Sequence, residues 1–123
     1  MAQQKRAWLY CRIDAPEDKH GSLKGQEKEL MDYAEQMGFE VIGVSRDIGS
    51  GLNFERNGIA EISAVATMGR IDSLLVVNIS RIGRDINKTT RFITILQKMG
   101  IKIYSMAEGE ITAEHNPFNV VRG

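Results

Sequence analysis

The stretch "MGFEVIGV", Met37–Val44, joins the end of one kind of segment to the start of another. Met-Gly recurs as Met68-Gly69 and Met99-Gly100, each time 31 residues further on. Ahead of the three copies, apolar residues repeat at helical spacing: Leu23, Leu30, Ala34 and Met37; then Ile59, Ile62, Val65 and Ala66; then Phe92, Ile93, Leu96 and Met99. After them come short runs rich in β-branched residues, "FEVIGV", "IDSLLVV" and "IKIYSM", and "AWLYCRI" is a run of the same kind before the first helix. Each glycine sits where a helix stops, at the position that tolerates a left-handed backbone. Nearly continuous apolar runs of this length belong to strands covered on both faces. The order β-α-β-α-β-α-β predicts a three-layer α/β/α fold on a four- to five-stranded, mainly parallel sheet of flavodoxin-like topology. A solenoid of that period is excluded, because the repeats share architecture but little sequence. The residues after Met106, "AEGEITAEHNPFNVVRG", carry no clear pattern.

The totals narrow the function. A chain of 123 residues makes one domain, taken as 1–123. Lys+Arg and Asp+Glu are 16 each, so the net charge is zero, unlike that of a typical stand-alone nucleic-acid binder. Contact with DNA would then need a local patch, and binding by this chain alone should be weak and steeply salt-dependent. The single Cys11 excludes an internal disulfide and a cysteine-based zinc site. No apolar run reaches membrane-spanning length, and "MAQQKRAW" lacks a signal-peptide core, which points to the cytoplasm and away from membranes.

Open α/β sheets bind ligands at the carboxyl ends of their strands. The first strand brings Arg12 and Asp14 there; the second brings Arg46, Asp47 and Ser50 and the loop "DIGSGLNFER" ending at Arg56; the third brings Ser80, Arg81, Arg84 and Asp85; the fourth brings Glu108. Five arginines from three loops suit a multivalent anion such as a phosphodiester, which a guanidinium grips with two parallel bonds. Taken singly, each arginine has an ordinary reading as the partner of Asp14, Asp47 or Asp85. Cys11 reads as a core residue, His20 and His115 as solvent-facing without metal-ligand spacing, and Gly49 and Gly51 as turn residues.

These residues resemble a known family. "YCRID", "SLKGQ", "DIGSG" with Arg56 beyond, and "SRIGRD" are similar to the patterns Y-x-R-(V/I)-S, S-L-x-x-Q, D-x-x-S-G and (D/S)-R-(L/I)-(G/S)-R of the serine recombinase catalytic domain, found in resolvases, DNA invertases and transposon integrases. The resemblance spans roughly residues 6 to 111. It implies a resolvase-like domain that cuts and rejoins DNA through a phosphoserine link, with no metal and no cofactor. By position it implies that Arg12, Arg81 and Arg84 form the phosphate-binding core, that Gln26, Asp47, Ser50 and Arg56 support it, and that Asp85 helps orient it.

One departure sits at the nucleophile. The family's serine follows the first-strand arginine by two residues, and here that residue is Asp14. Cys11 cannot substitute, because alternate strand residues point to opposite faces. The expectation is that Asp14 fills the place of the missing anion and is ion-paired with Arg12, Arg81 or Arg84. Strand exchange is then impaired, and the role becomes regulatory or assembly-related, as a homo-oligomer or paired with an active recombinase. A second departure is length: family members usually continue into a dimerising helix and a DNA-binding domain, neither of which is expected before Gly123. The alternative readings are a flavodoxin- or receiver-like signalling domain holding Mg²⁺ with Asp14 and Asp47, and a protein-interaction module. The first of these needs a carboxylate at the end of the third strand, where Asn78 and Ser80 stand.

Overall fold

The structure, a computed structural model, describes residues 5–14, 22–49 and 56–112. Its elements are β1 (Lys5–Ile13), α1 (Leu23–Met37), β2 (Phe39–Ile48), α2 (Asn57–Thr67), β3 (Ser73–Val76), α3 (Ile79–Ile82), α4 (Ile86–Lys98), β4 (Lys102–Ser105) and β5 (Gly109–Ile111). The strands form one sheet in the order β2-β1-β3-β4-β5, parallel except for β5. This is the predicted mainly parallel α/β architecture.

The Met-Gly repeat marks the helix-to-strand returns. Gly38, Gly69 and Gly100 have φ of 80°, 68° and 84°, a region that other residues enter only under strain. At the other end of α1, the Ser22 hydroxyl accepts the Gly25 N–H at 2.9 Å, which satisfies one orphan donor of the first turn. One face of the sheet is covered by α1, whose Leu30 and Ala34 pack with Ala7, Leu9, Cys11 and Leu75. The opposite face is covered by α2 and α4, whose Ile59, Ile62, Phe92, Ile93 and Leu96 pack with Tyr10, Leu74, Val76 and Ile103. Burial pushes the Cys11 thiol up to about 12, as fits a core residue.

Several details differ from the sequence reading. Met37 and Met99 share their helices' apolar spacing but are 51% and 44% exposed, because they lie at the last turn, beyond the part of the helix that overlies the sheet. β2 is not covered on both faces: it forms the sheet's edge, and Glu40, Ile42, Arg46 and Ile48 are exposed. The patternless segment after Met106 contains β5. Gly109, at φ 84°, opens a return in which Tyr104 pairs with Glu110. A strand of three residues is too short to show alternation. "SRIGRD" likewise holds one helical turn, α3, within what reads as a loop.

The contrast between the middle and the last turn of α1 is measurable. Leu30→Ala, at a site with no solvent exposure, should lower the unfolding free energy by about 2–5 kcal/mol in urea denaturation. Met37→Ala should change it by less than about 1 kcal/mol.

Candidate functional site

The carboxyl ends of β1, β2 and β3 meet around Arg12, whose side chain has no solvent exposure. Its Nε donates to the Arg81 carbonyl at 3.1 Å, Nη2 to the Ser80 carbonyl at 2.8 Å, and Nη1 to the Gly49 carbonyl at 2.6 Å. Nη1 also donates to Asp14 Oδ1 at 2.6 Å. The backbone of the same residue is held from α1 by Gln26, which accepts the Arg12 N–H at 3.1 Å and donates to its carbonyl at 2.8 Å. That carbonyl also accepts from Arg81 Nη1 at 2.9 Å. Arg12 and Arg81 thus each donate to the other's carbonyl, locking β1 to α3.

Asp14 bridges two cations. Its second oxygen accepts from Arg84 Nη2 at 3.1 Å, so the carboxylate links the buried Arg12 to the half-exposed Arg84. The expected ion pair is present with these two arginines; Arg81 lies close enough to act through its charge, with its described bond going to the Arg12 carbonyl. The Arg12 hydrogen bond holds the Asp14 carboxyl below its ordinary value; desolvation pushes the other way, and the charges of Arg12, Arg84 and Arg81 add to the lowering. Arg81 Nε is buried and has no hydrogen-bond partner.

Beneath this cluster lies a second one. Tyr10 has no solvent exposure; its hydroxyl donates to Asp47 Oδ2 at 2.8 Å and accepts from Arg56 Nη1 at 2.8 Å. Arg56 Nη2 reaches the Ile82 carbonyl at 2.6 Å, and Asp47 Oδ1 accepts the Gly58 N–H at 2.9 Å. A Cβ on Gly58 would stand 2.4 Å from Asp47 Oδ2, so only glycine allows α2 to approach this closely. Burial raises the Tyr10 pKa and lowers that of Arg56.

The sequence-predicted residues divide between these clusters and other places. Arg12, Asp14, Arg81, Arg84, Gln26, Asp47 and Arg56 lie in them. Arg46 does not: next to Asp47 in the strand, it points to the α1 face and pairs with Glu27 at 2.7 Å. Asp85 caps α4, its Oδ1 accepting the Lys88 N–H at 2.9 Å. Glu108 accepts the Ile79 N–H at 3.1 Å and the Ser105 hydroxyl, so it fastens the turn after β4 to the start of α3. Ser50, Gly51, His20 and His115 lie outside the described residues. Sequence reasoning missed the role of Tyr10, although it stands in the quoted motif, and that of Gly58. It also missed the three carbonyls, which carry no residue-type signal.

Comparison with known proteins matches residues 7–120 to the family "Resolvase, N terminal domain". The chain belongs to the resolvase family. A protein of Acanthamoeba polyphaga mimivirus described as a resolvase is 31% identical over 84 residues, 67% of this chain but 40% of that relative's length. The chain therefore spans well under half of that relative. Among solved structures, the N-terminal catalytic domain of TP901-1 integrase superposes with a TM-score of 0.81 at 26% identity, over 85% of this chain and 80% of that one. The C-terminal catalytic domain of ISC1926 TnpA, an IS607-like serine recombinase, gives a TM-score of 0.71 at 28% identity, over 81% and 69%. A resolvase-family recombinase of Streptococcus pneumoniae, at 18% identity and a TM-score of 0.75 over 93% and 79%, shares the fold. Among the described residues of this resolvase-type domain, no helix is long and apolar enough to cross a membrane.

Two measurements test the clusters. Tyr10→Phe removes the shared hydroxyl from a buried carboxylate and guanidinium, and should lower stability by about 1–3 kcal/mol in denaturant unfolding. For Asp14, whose folded pKa is depressed, the stabilisation is fully present above the unfolded value of about 3.9 and is lost as pH falls through the folded value. The stability difference between parent and Asp14→Asn should therefore be present at neutral pH and vanish on acidification. At 46% exposure, Asp14 should contribute modestly.

Proposed function

We propose that this domain is a DNA-directed member of the serine recombinases in which the phosphate site is retained and the nucleophile is lost. The observation that carries the reading is the Asp14 carboxylate seated between Arg12 Nη1 and Arg84 Nη2, at 2.6 and 3.1 Å. By the Y-x-R-(V/I)-S pattern this is the serine position. A carboxylate there presents two oxygens to the guanidiniums that would otherwise meet a scissile phosphate. Arg84 and Arg81 are the arms that reach an incoming phosphate. Arg12 reaches it only along the Nη1 edge now used by Asp14, while its other donors hold the backbone. Gln26, Asp47 and Arg56 keep these arms in place, with Ser50 carried over from the family pattern alone and Asp85 starting α4. No metal or cofactor enters this chemistry.

Without the serine hydroxyl, the family's phosphoserine link cannot form at this position. The role left to the domain is assembly: pairing with itself or with an active recombinase in the cytoplasm, and touching DNA weakly. The signalling alternative fits less well. Asp47 is engaged by Tyr10 and Gly58, and Asp14 by two arginines, so neither carboxylate is presented as a Mg²⁺ ligand.

The test is Asp14→Ser. If Asp14 stands in for a phosphate, that variant should bind inorganic sulfate more tightly than the parent, with NMR shift changes centred on Arg81 and Arg84. The parent should trap no covalent adduct on a nicked suicide substrate. Equal sulfate binding by parent and variant, or a trapped adduct that Asp14→Asn abolishes, would overturn the reading.

A further inference from the structure

Charge is unevenly placed on this neutral chain. Between Ile86 and Lys98, α4 carries the exposed cations Lys88, Arg91 and Lys98 and no carboxylate. On the opposite face of the sheet, α1 carries Glu27, Glu29, Asp32 and Glu35 against Lys24 and Lys28. Beside α4, the one carboxylate of α2, Glu61, accepts the Ser45 hydroxyl at 2.6 Å. Equal totals thus conceal a basic helix on one side and an acidic helix on the other.

The α4 cations are aligned. With Thr89, Phe92, Ile93 and Leu96 turned to the core, the helical repeat places Lys88, Arg91 and Lys98 on one outward stripe, with the exposed Ile95 among them. At 1.5 Å per residue, Lys88 to Lys98 spans about 15 Å. Duplex DNA carries one charge per about 1.7 Å of axis, so roughly nine phosphates lie along such a length. The stripe starts four residues after Arg84, the cation that holds Asp14.

We propose that the exposed face of α4 is a docking surface for the backbone of duplex DNA, on which Lys88, Arg91 and Lys98 make sequence-independent phosphate contacts that lead to Arg84. This rests on the DNA-directed reading above and adds a surface to it. Continuity with the Arg84 site favours DNA over the other candidate, a second copy presenting its acidic α1.

The test is fluorescence anisotropy of the full chain with a labelled duplex over a range of salt. K88Q/R91Q/K98Q should weaken binding at least about tenfold at about 50 mM salt and reduce the log–log salt slope by about 2.7, from three phosphates at 0.9 each. Each single Gln variant should give about one third of that slope change, and circular dichroism and the melting temperature should match the parent. The charge-matched K5Q/K24Q/K28Q should shift affinity by less than about twofold, since those lysines lie on the amino end of β1 and on α1. No change in the α4 variant, equal loss in both variants, or no binding by the parent at low salt overturns the proposal. So does sedimentation showing that the parent self-associates and that the α4 substitutions dissolve the assembly while leaving DNA affinity intact. The sulfate titration of Asp14→Ser does not involve α4, so the docking surface and the phosphate site can fail separately.

Discussion

A guanidinium with no solvent exposure ties the carboxyl ends of three strands together. Burying a charge costs several kcal/mol unless its donors are matched, and removing a partner afterwards leaves that cost uncovered. Arg12 is matched by three backbone carbonyls and one carboxylate. Because the carbonyls belong to Gly49, Ser80 and Arg81, the loops after β2 and β3 are held against β1. Gln26 adds α1 to the same point through the Arg12 backbone. Arg81 and Arg84 can stand beside Asp14 only because this junction fixes the chain that carries them.

The Tyr10 cluster works one layer deeper. Asp47 stands next to the last residue of β2, and Arg56 is the N-cap of α2. Their common partner is the Tyr10 hydroxyl of β1, so the end of β2 and the start of α2 are anchored to one point on that strand. Arg56 also holds the Ile82 carbonyl of α3, which joins the two clusters. Burial makes each charge depend on the others: the Asp47 carboxylate offsets Arg56 through one shared hydroxyl.

The sequence made the frame legible because the frame is periodic. Glycines 31 residues apart stop helices at Gly38, Gly69 and Gly100, and the runs after them are β2, β3 and β4. What escaped was short or set by place rather than pattern. β5 and α3 are too brief for periodicity. The exposure of β2 follows from sheet order, which the sequence does not state. At the site, Asp14, Arg81 and Arg84 were legible from their position after strands, and Arg12 from its place at the carboxyl end of β1. Arg46 was misplaced because position after a strand was assumed for a residue still inside β2, where alternation sends it toward Glu27. The carbonyls around Arg12 were unreadable in principle, since every residue has one. The approach of Gly58 to Asp47 follows from how α2 packs against the end of β2, which no sequence pattern states.

On the proposed reading, Asp14 decides what chemistry remains. A carboxylate can attack phosphorus, as it does in enzymes that form aspartyl phosphates. The product here would be an acyl phosphate, activated toward water, whereas strand exchange needs a link that survives until the strands rejoin. The approach is also opposed electrostatically, because an anionic Asp14 would repel the incoming phosphodiester. The two arginines that could offset that repulsion are already bonded to its oxygens. Those same bonds hold the carboxyl below its ordinary value, so protonation near neutral pH does not clear the site. On the proposed reading, a phosphate that takes Arg84 Nη2 must displace the Asp14 oxygen bonded there, and the free energy of that exchange would limit how tightly this cluster holds DNA.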